Sequence, residues 1–167
     1  MLGSTDSLLT ARRIALLNES ECARAVDAIH GLRAYWIDTP TPHLHCLGQA
    51  LYQSPDLPSY FRSADALNPT LWTTFGWLYC SMIDVLTRVL GSRPLLNPHW
   101  AIPGFHILVF QGSGPYSGGS AHYDTSYRRL RPDMPLLPDA RTLTATLLLQ
   151  SLAGGCGVLQ WAMSCTE

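Results

Sequence analysis

Lysine is missing from this sequence altogether: its eleven basic residues are all arginines, set against twelve acidic residues for a formal net charge of −1. Charged residues make up only 14% of the chain. That balance gives no electrostatic case for nucleic acid or an anionic membrane as partner. The arginines are scattered apart from Arg12-Arg13 and Arg128-Arg129-Leu130-Arg131, and the second cluster reads as a solvated loop with turn prolines. Paired cysteine spacing is lacking too. The five cysteines are odd in number, no two stand as Cys-x-x-Cys, and no basic, continuously apolar leader precedes them. A disulfide framework and a structural zinc site are disfavoured, and the expectation is free thiols in a reducing, cytoplasmic setting. Nor is there a disordered tract. With 167 residues and an apolar fraction of 47%, the chain has the size and composition of one globular domain with a sizeable core.

What is present begins with helices. Asn18 followed by Glu21 has the form of a capping box, and Cys22, Ala25, Val26, Ile29 and Leu32 recur at helical spacing, which predicts a helix over about 19–33. The stretch 38–58 carries prolines at 40, 42, 55 and 58 and reads as loop, with a short ordered piece at 44–52. The clearest helix is predicted from Asn68 as cap, through Pro69 at its first position, to Gly91. Leu71, Phe75, Leu78, Met82, Leu86 and Val89 would form its apolar face. Asp84, Arg88 and interspersed Thr and Ser argue against a membrane span, since a charge near mid-span costs a few kcal/mol.

After Gly91 the period changes to alternation. Gly104–Phe110, Ala121–Tyr127, Arg141–Gln150 and Val158–Met163 read as strands, several joined by glycine-rich turns. Helices followed by short strands predict an α+β fold, and the absence of βαβ alternation disfavours a Rossmann arrangement.

One tripeptide carries metal chemistry. His122-Tyr123-Asp124 follows the glycine-rich run 112–120. On a strand, side chains two apart share a face, so an imidazole and a carboxylate would stand side by side. Those are two of the three ligands of a 2-His-1-carboxylate facial triad for non-haem Fe(II). On spacing alone, a surface His and Asp hydrogen-bonded at a turn explains the pair equally well. Other motifs fail on inspection. Gly114 and Gly119 have phosphate-loop separation, but Ser120 occupies the lysine position. Gly118-Gly-Ser120-Ala-His122 lacks the last glycine of a nucleophile elbow, and a strand pattern follows where a helix belongs. His43, His45, His99 and His106 read as packed or solvated histidines.

The runs Pro103-Gly-Phe-His-Ile107 and Ser120-Ala-His-Tyr-Asp-Thr125, the Thr/Leu segment 141–150, and Gly154-Gly-Cys-Gly-Val-Leu-Gln-Trp161 together resemble the N-terminal portion of an Fe(II)/2-oxoglutarate-dependent dioxygenase. The resemblance implies N-terminal helices, residues 1–93, supporting an incomplete double-stranded β-helix (jelly-roll, cupin-like) core over residues 94–167. It also implies His122 and Asp124 as metal ligands, Fe(II) and 2-oxoglutarate as cofactors, and a small-molecule substrate for a hydroxylase-type oxidoreductase. His122 is the last histidine of the sequence. In the family the distal histidine and the basic residue that pairs with 2-oxoglutarate lie on later strands without counterpart here, so no further catalytic or cofactor-binding residue is assigned. About four strands stand where a closed jelly roll needs about eight. The favoured expectation is a truncated fragment, inactive as given, with strand edges open to self-association. A non-catalytic cupin-like binding or interaction module is the alternative.

Overall fold

The computed structural model describes residues 13–41, 43–109, 127–130 and 145–150. Helix α1 spans Glu19–Gly31 and begins as its sequence dictates. The Asn18 side chain accepts from the Glu21 N–H at 2.9 Å, and Glu21 reaches back to the Asn18 N–H at 2.8 Å. A 3-10 turn, Arg33–Tyr35, leads out of it, and the Trp36 indole N–H donates to the Ile29 carbonyl at 3.0 Å, occupying an acceptor near the end of α1.

Strand β1, Ile37–Asp38, and strand β2, Leu44–Leu47, then form inside the proline-rich stretch. His43, just before β2, takes a positive φ of 63°. A 3-10 turn over Leu51–Gln53 follows β2, and strand β3 comes much later, at Phe105–Leu108. The three strands form one antiparallel sheet in the order β1-β2-β3. Its register pairs Cys46 with Ile37 on one side and with His106 on the other.

The 34-residue helix α2, Leu57–Leu90, is the backbone of the described structure. It starts twelve residues earlier than its sequence suggests. Asp56 is the actual N-cap, accepting from the Ser59 N–H at 2.7 Å, and Pro58 sits in the first turn. Pro69 lies inside the helix, where its missing N–H and ring would ordinarily break it at a cost of about 3 kcal/mol. The helix continues because its upstream turns bury Tyr60 and Ala64, and because Asn68 has tertiary work to do. The Asn68 amide donates to the Trp100 carbonyl at 2.8 Å and accepts from the Ile102 N–H at 3.1 Å. Tyr60 accepts from the Ala101 N–H at 2.9 Å, and Tyr79 donates to the Pro103 carbonyl at 2.8 Å. Three side chains of α2 thus fasten residues 100–103, the segment that delivers β3. At the far end Gly91 closes the helix in the left-handed conformation, φ 71°, as expected.

The core is the contact between α2 and one face of the sheet. Leu71, Phe75, Leu78 and Tyr79 of α2, Ile29 of α1 and Leu47 of β2 are buried together, with Phe105 and Ile107 of β3 packed around them. The Phe75 and Phe105 rings lie 4.5 Å apart between centroids. Trp72 is 45% exposed and stacks on Tyr79 at 5.7 Å. Leu147 and Leu149 also pack against this cluster, while Thr146, Leu148 and Gln150 are exposed. The alternation expected for this stretch is therefore present in burial, although residues 145–150 form no strand ladder.

The assembly is α+β: helices against a small antiparallel sheet. Among the described residues no helix is long and apolar enough to cross a membrane. Tyr127–Leu130, placed in part within a strand and in part within a loop by sequence, is a single helical turn, α3.

Candidate functional site

Side chains along β2 and β3 alternate, so the residues between the core-facing ones point away from α2. Leu47, Phe105 and Ile107 face the core; Cys46 and His106, directly opposite one another across the ladder, therefore share the other face. The 3-10 turn after β2 folds over that face and brings Tyr52 and Gln53 to them. The Tyr52 hydroxyl lies 3.0 Å from His106 Nε2 and 3.8 Å from the Cys46 sulfur. Gln53 Nε2 donates to the same sulfur at 3.1 Å. Gln53 Oε1 is buried and has no hydrogen-bond partner among the described residues. Arg129 of α3 donates to the Leu51 carbonyl at 3.1 Å, next to this turn.

The surroundings of the sulfur ease its ionisation. Burial alone pushes the Cys46 thiol up, but hydrogen bonds from His106, Gln53 and Tyr52, together with the charge of His106, outweigh burial and leave it below its ordinary value. Burial and the adjoining sulfur push the Tyr52 hydroxyl up to about 12, so it stays a phenol at neutral pH and can donate. Cys46 itself is 2% exposed, whereas Tyr52 is 55% exposed and His106 is exposed beside it. The sulfur thus lies under two polar side chains that reach solvent.

A second polar pair lies at the other edge of the sheet. His45 Nδ1 and Asp38 Oδ1 are 2.8 Å apart, with the Trp36 ring 5.6 Å from the imidazole. The Asp38 side chain is 90% exposed, so solvent competes for this contact and it contributes little to stability.

His122 and Asp124, the metal ligands expected from sequence, lie outside the described residues, as does the glycine-rich run before them. Among the described residues no group of three or more His, Cys, Asp or Glu side chains could hold a metal ion. Sequence reasoning treated His106 as a packed or solvated histidine and gave Cys46 no role. The signal available was weak: two strand-like segments, His45-Cys46-Leu47 and Phe105-His106-Ile107, that place a thiol and an imidazole on equivalent faces only if they pair. No protein-family model, curated protein or solved structure matches the chain.

Proposed function

We propose that this chain is the N-terminal portion of a non-haem Fe(II)/2-oxoglutarate-dependent oxygenase of hydroxylase type, acting on a small molecule. His122 and Asp124 would supply two ligands to the iron. The α2-backed sheet would begin a double-stranded β-helix. The observation that carries the reading is the His122-Tyr-Asp124 motif in its sequence setting, behind a glycine-rich run and after a segment, Phe105–Leu108, that is a strand. The α+β architecture is compatible with it, since α2 covers one sheet face and leaves the other for chemistry.

The donor set suits the metal. An imidazole and a carboxylate are borderline and hard ligands that Fe(II) accepts on one octahedral face, leaving positions for a bidentate 2-oxo acid and oxygen. Bound there, the iron and 2-oxoglutarate would supply the oxidising chemistry. The protein's part is to orient the imidazole and carboxylate and to keep water out. A triad needs a third ligand, and no histidine follows His122, so what is assigned here is a two-ligand half-site.

Titration of the chain with Fe(II) under anaerobic conditions tests this directly. Stoichiometric binding should be lost or weakened at least about tenfold in His122→Ala and in Asp124→Ala. With 2-oxoglutarate and oxygen added to a form that binds iron, succinate should appear and should vanish in His122→Ala. Iron binding or succinate formation indifferent to both substitutions would remove the assignment and favour a non-catalytic binding module.

A further inference from the structure

We propose that Cys46 is a peroxide-reactive thiol, activated by Gln53, Tyr52 and His106 on the sheet face turned away from α2. Three side chains from two segments, the 3-10 turn after β2 and strand β3, converge on one sulfur. Gln53 donates to it at 3.1 Å, the Tyr52 hydroxyl stands 3.8 Å away, and His106 is its cross-strand neighbour. A structural cysteine in an apolar core needs none of these and is inert; a sulfur surrounded by donors beside an imidazole is held toward its thiolate, the nucleophilic form. The direction of the Cys46 pKa agrees with that geometry. Cys22 and Cys80, also free thiols, sit on α1 and α2 outside this cluster.

Exposure selects the reagent. Only 2% of Cys46 is accessible, whereas Tyr52 and His106 beside it are exposed. A bulky disulfide would not reach the sulfur, whereas hydrogen peroxide or a small organic hydroperoxide would. In the reaction the thiolate sulfur attacks one peroxide oxygen. The S–O bond forms as the O–O bond breaks, and the departing hydroxide or alkoxide takes a proton passed from solvent through the exposed His106 imidazole and leaves as water or alcohol. The sulfur is oxidised by two electrons to the sulfenic acid while the peroxide is reduced by two. Tyr52, bonded to the imidazole at 3.0 Å, positions His106 for that transfer. Among the described residues, Arg129 also stands near this turn, its guanidinium donating to the Leu51 carbonyl.

The test uses the full chain with a metal chelator present, so its outcome is separate from that of the iron proposal. Site-resolved mass spectrometry follows alkylation of Cys46 by iodoacetamide against pH. The midpoint is expected below about 8.5, the value of an unperturbed thiol. It should rise by about one pH unit in His106→Gln and by less in Tyr52→Phe, so that the rate at pH 7 falls by up to about tenfold. Because Tyr52 is largely exposed, its variant loses a hydroxyl without opening the core and serves as the control for folding. After treatment with equimolar hydrogen peroxide, mass spectrometry of the denatured, digested chain should find oxygen added to Cys46 ahead of the exposed Cys80. Oxidation of Cys80 with Cys46 untouched would overturn the proposal. A Cys46 midpoint that neither variant moves would do the same.

Discussion

Asn68 offers the sharpest test of how α2 is built. Its sequence setting, Asn68-Pro69, is a strong local start signal, yet it lies within a helix that begins at Leu57. The two interpretations assign the side chain different work. As an N-cap it would accept from its own helix; as observed, it bridges the Trp100 carbonyl and the Ile102 N–H at 2.8 and 3.1 Å. Aspartate caps as well as asparagine does, so a capping role predicts little change in Asn68→Asp. The bridge predicts a loss. Aspartate has no donor for the Trp100 carbonyl and would set a carboxylate against it, costing about 1–3 kcal/mol for the unsatisfied, partly buried acceptor. Asn68→Ala loses both bonds and regains about 0.5 kcal/mol of helix propensity, for a net destabilisation of about 1.5–3 kcal/mol. Urea unfolding followed by tryptophan fluorescence would measure both, with an unchanged m-value showing that the same surface unfolds. An Asn68→Asp variant within about 0.5 kcal/mol of the parent would refute the bridge.

A Cβ on Gly104 would meet the Leu47 carbonyl and lie 3.0 Å from Gly48 Cα, so Gly104→Ala should destabilise by about 2 kcal/mol or more, whereas Gly31→Ala, with nothing within 4 Å, should be neutral or stabilising by up to about 1 kcal/mol; thermal unfolding compares them. The Asp56 carboxyl is held below its ordinary range by hydrogen bonds from Ser59, so its contribution is present above the unfolded-state pKa and is lost as pH falls through the lower folded value; the acid-side fall of the unfolding midpoint should be shallower in Asp56→Asn, and an identical pH profile would contradict the cap.

The parts of this fold that were legible in sequence are those governed by neighbours in the chain. The Asn18–Glu21 capping box, the helical periodicity after it and the Gly91 terminus are each decided within a few residues, and each stands where the pattern put it. The start of α2 was misplaced because Pro69 and Asn68 mimic a local boundary, while burial of Tyr60 and Ala64 and the bonds to residues 100–103 carry the helix through. Strand β1 was hidden among prolines, and β2 showed only as part of a short ordered piece at 44–52, for a similar reason: their ladder is completed by β3, far away in sequence. The α+β class survives this because it depends only on the kinds of element present. The Cys46–His106 pair was invisible because neither residue has a local signature; the register alone makes them neighbours.

Register is therefore what joins packing to chemistry in this molecule. Slipping β3 by one residue would turn His106 into the core and expose Phe105 or Ile107, because side-chain direction repeats every two residues. Several features oppose that slip together. Residues 100–103 are tied to Tyr60, Asn68 and Tyr79 on α2, so the strand enters the sheet at a fixed height. The backbones of Gly48 and Gly104 meet at the same end, where an added Cβ on Gly48 would lie 2.7 Å from Gly104 Cα. Phe105 is locked against Phe75 on the core side. Each of these contacts lies on or beside the apolar face, and none touches the Cys46 sulfur. Their combined effect is nevertheless to hold an imidazole opposite a thiol on the polar face, which places the control of that pair's reactivity in the long helix behind the sheet.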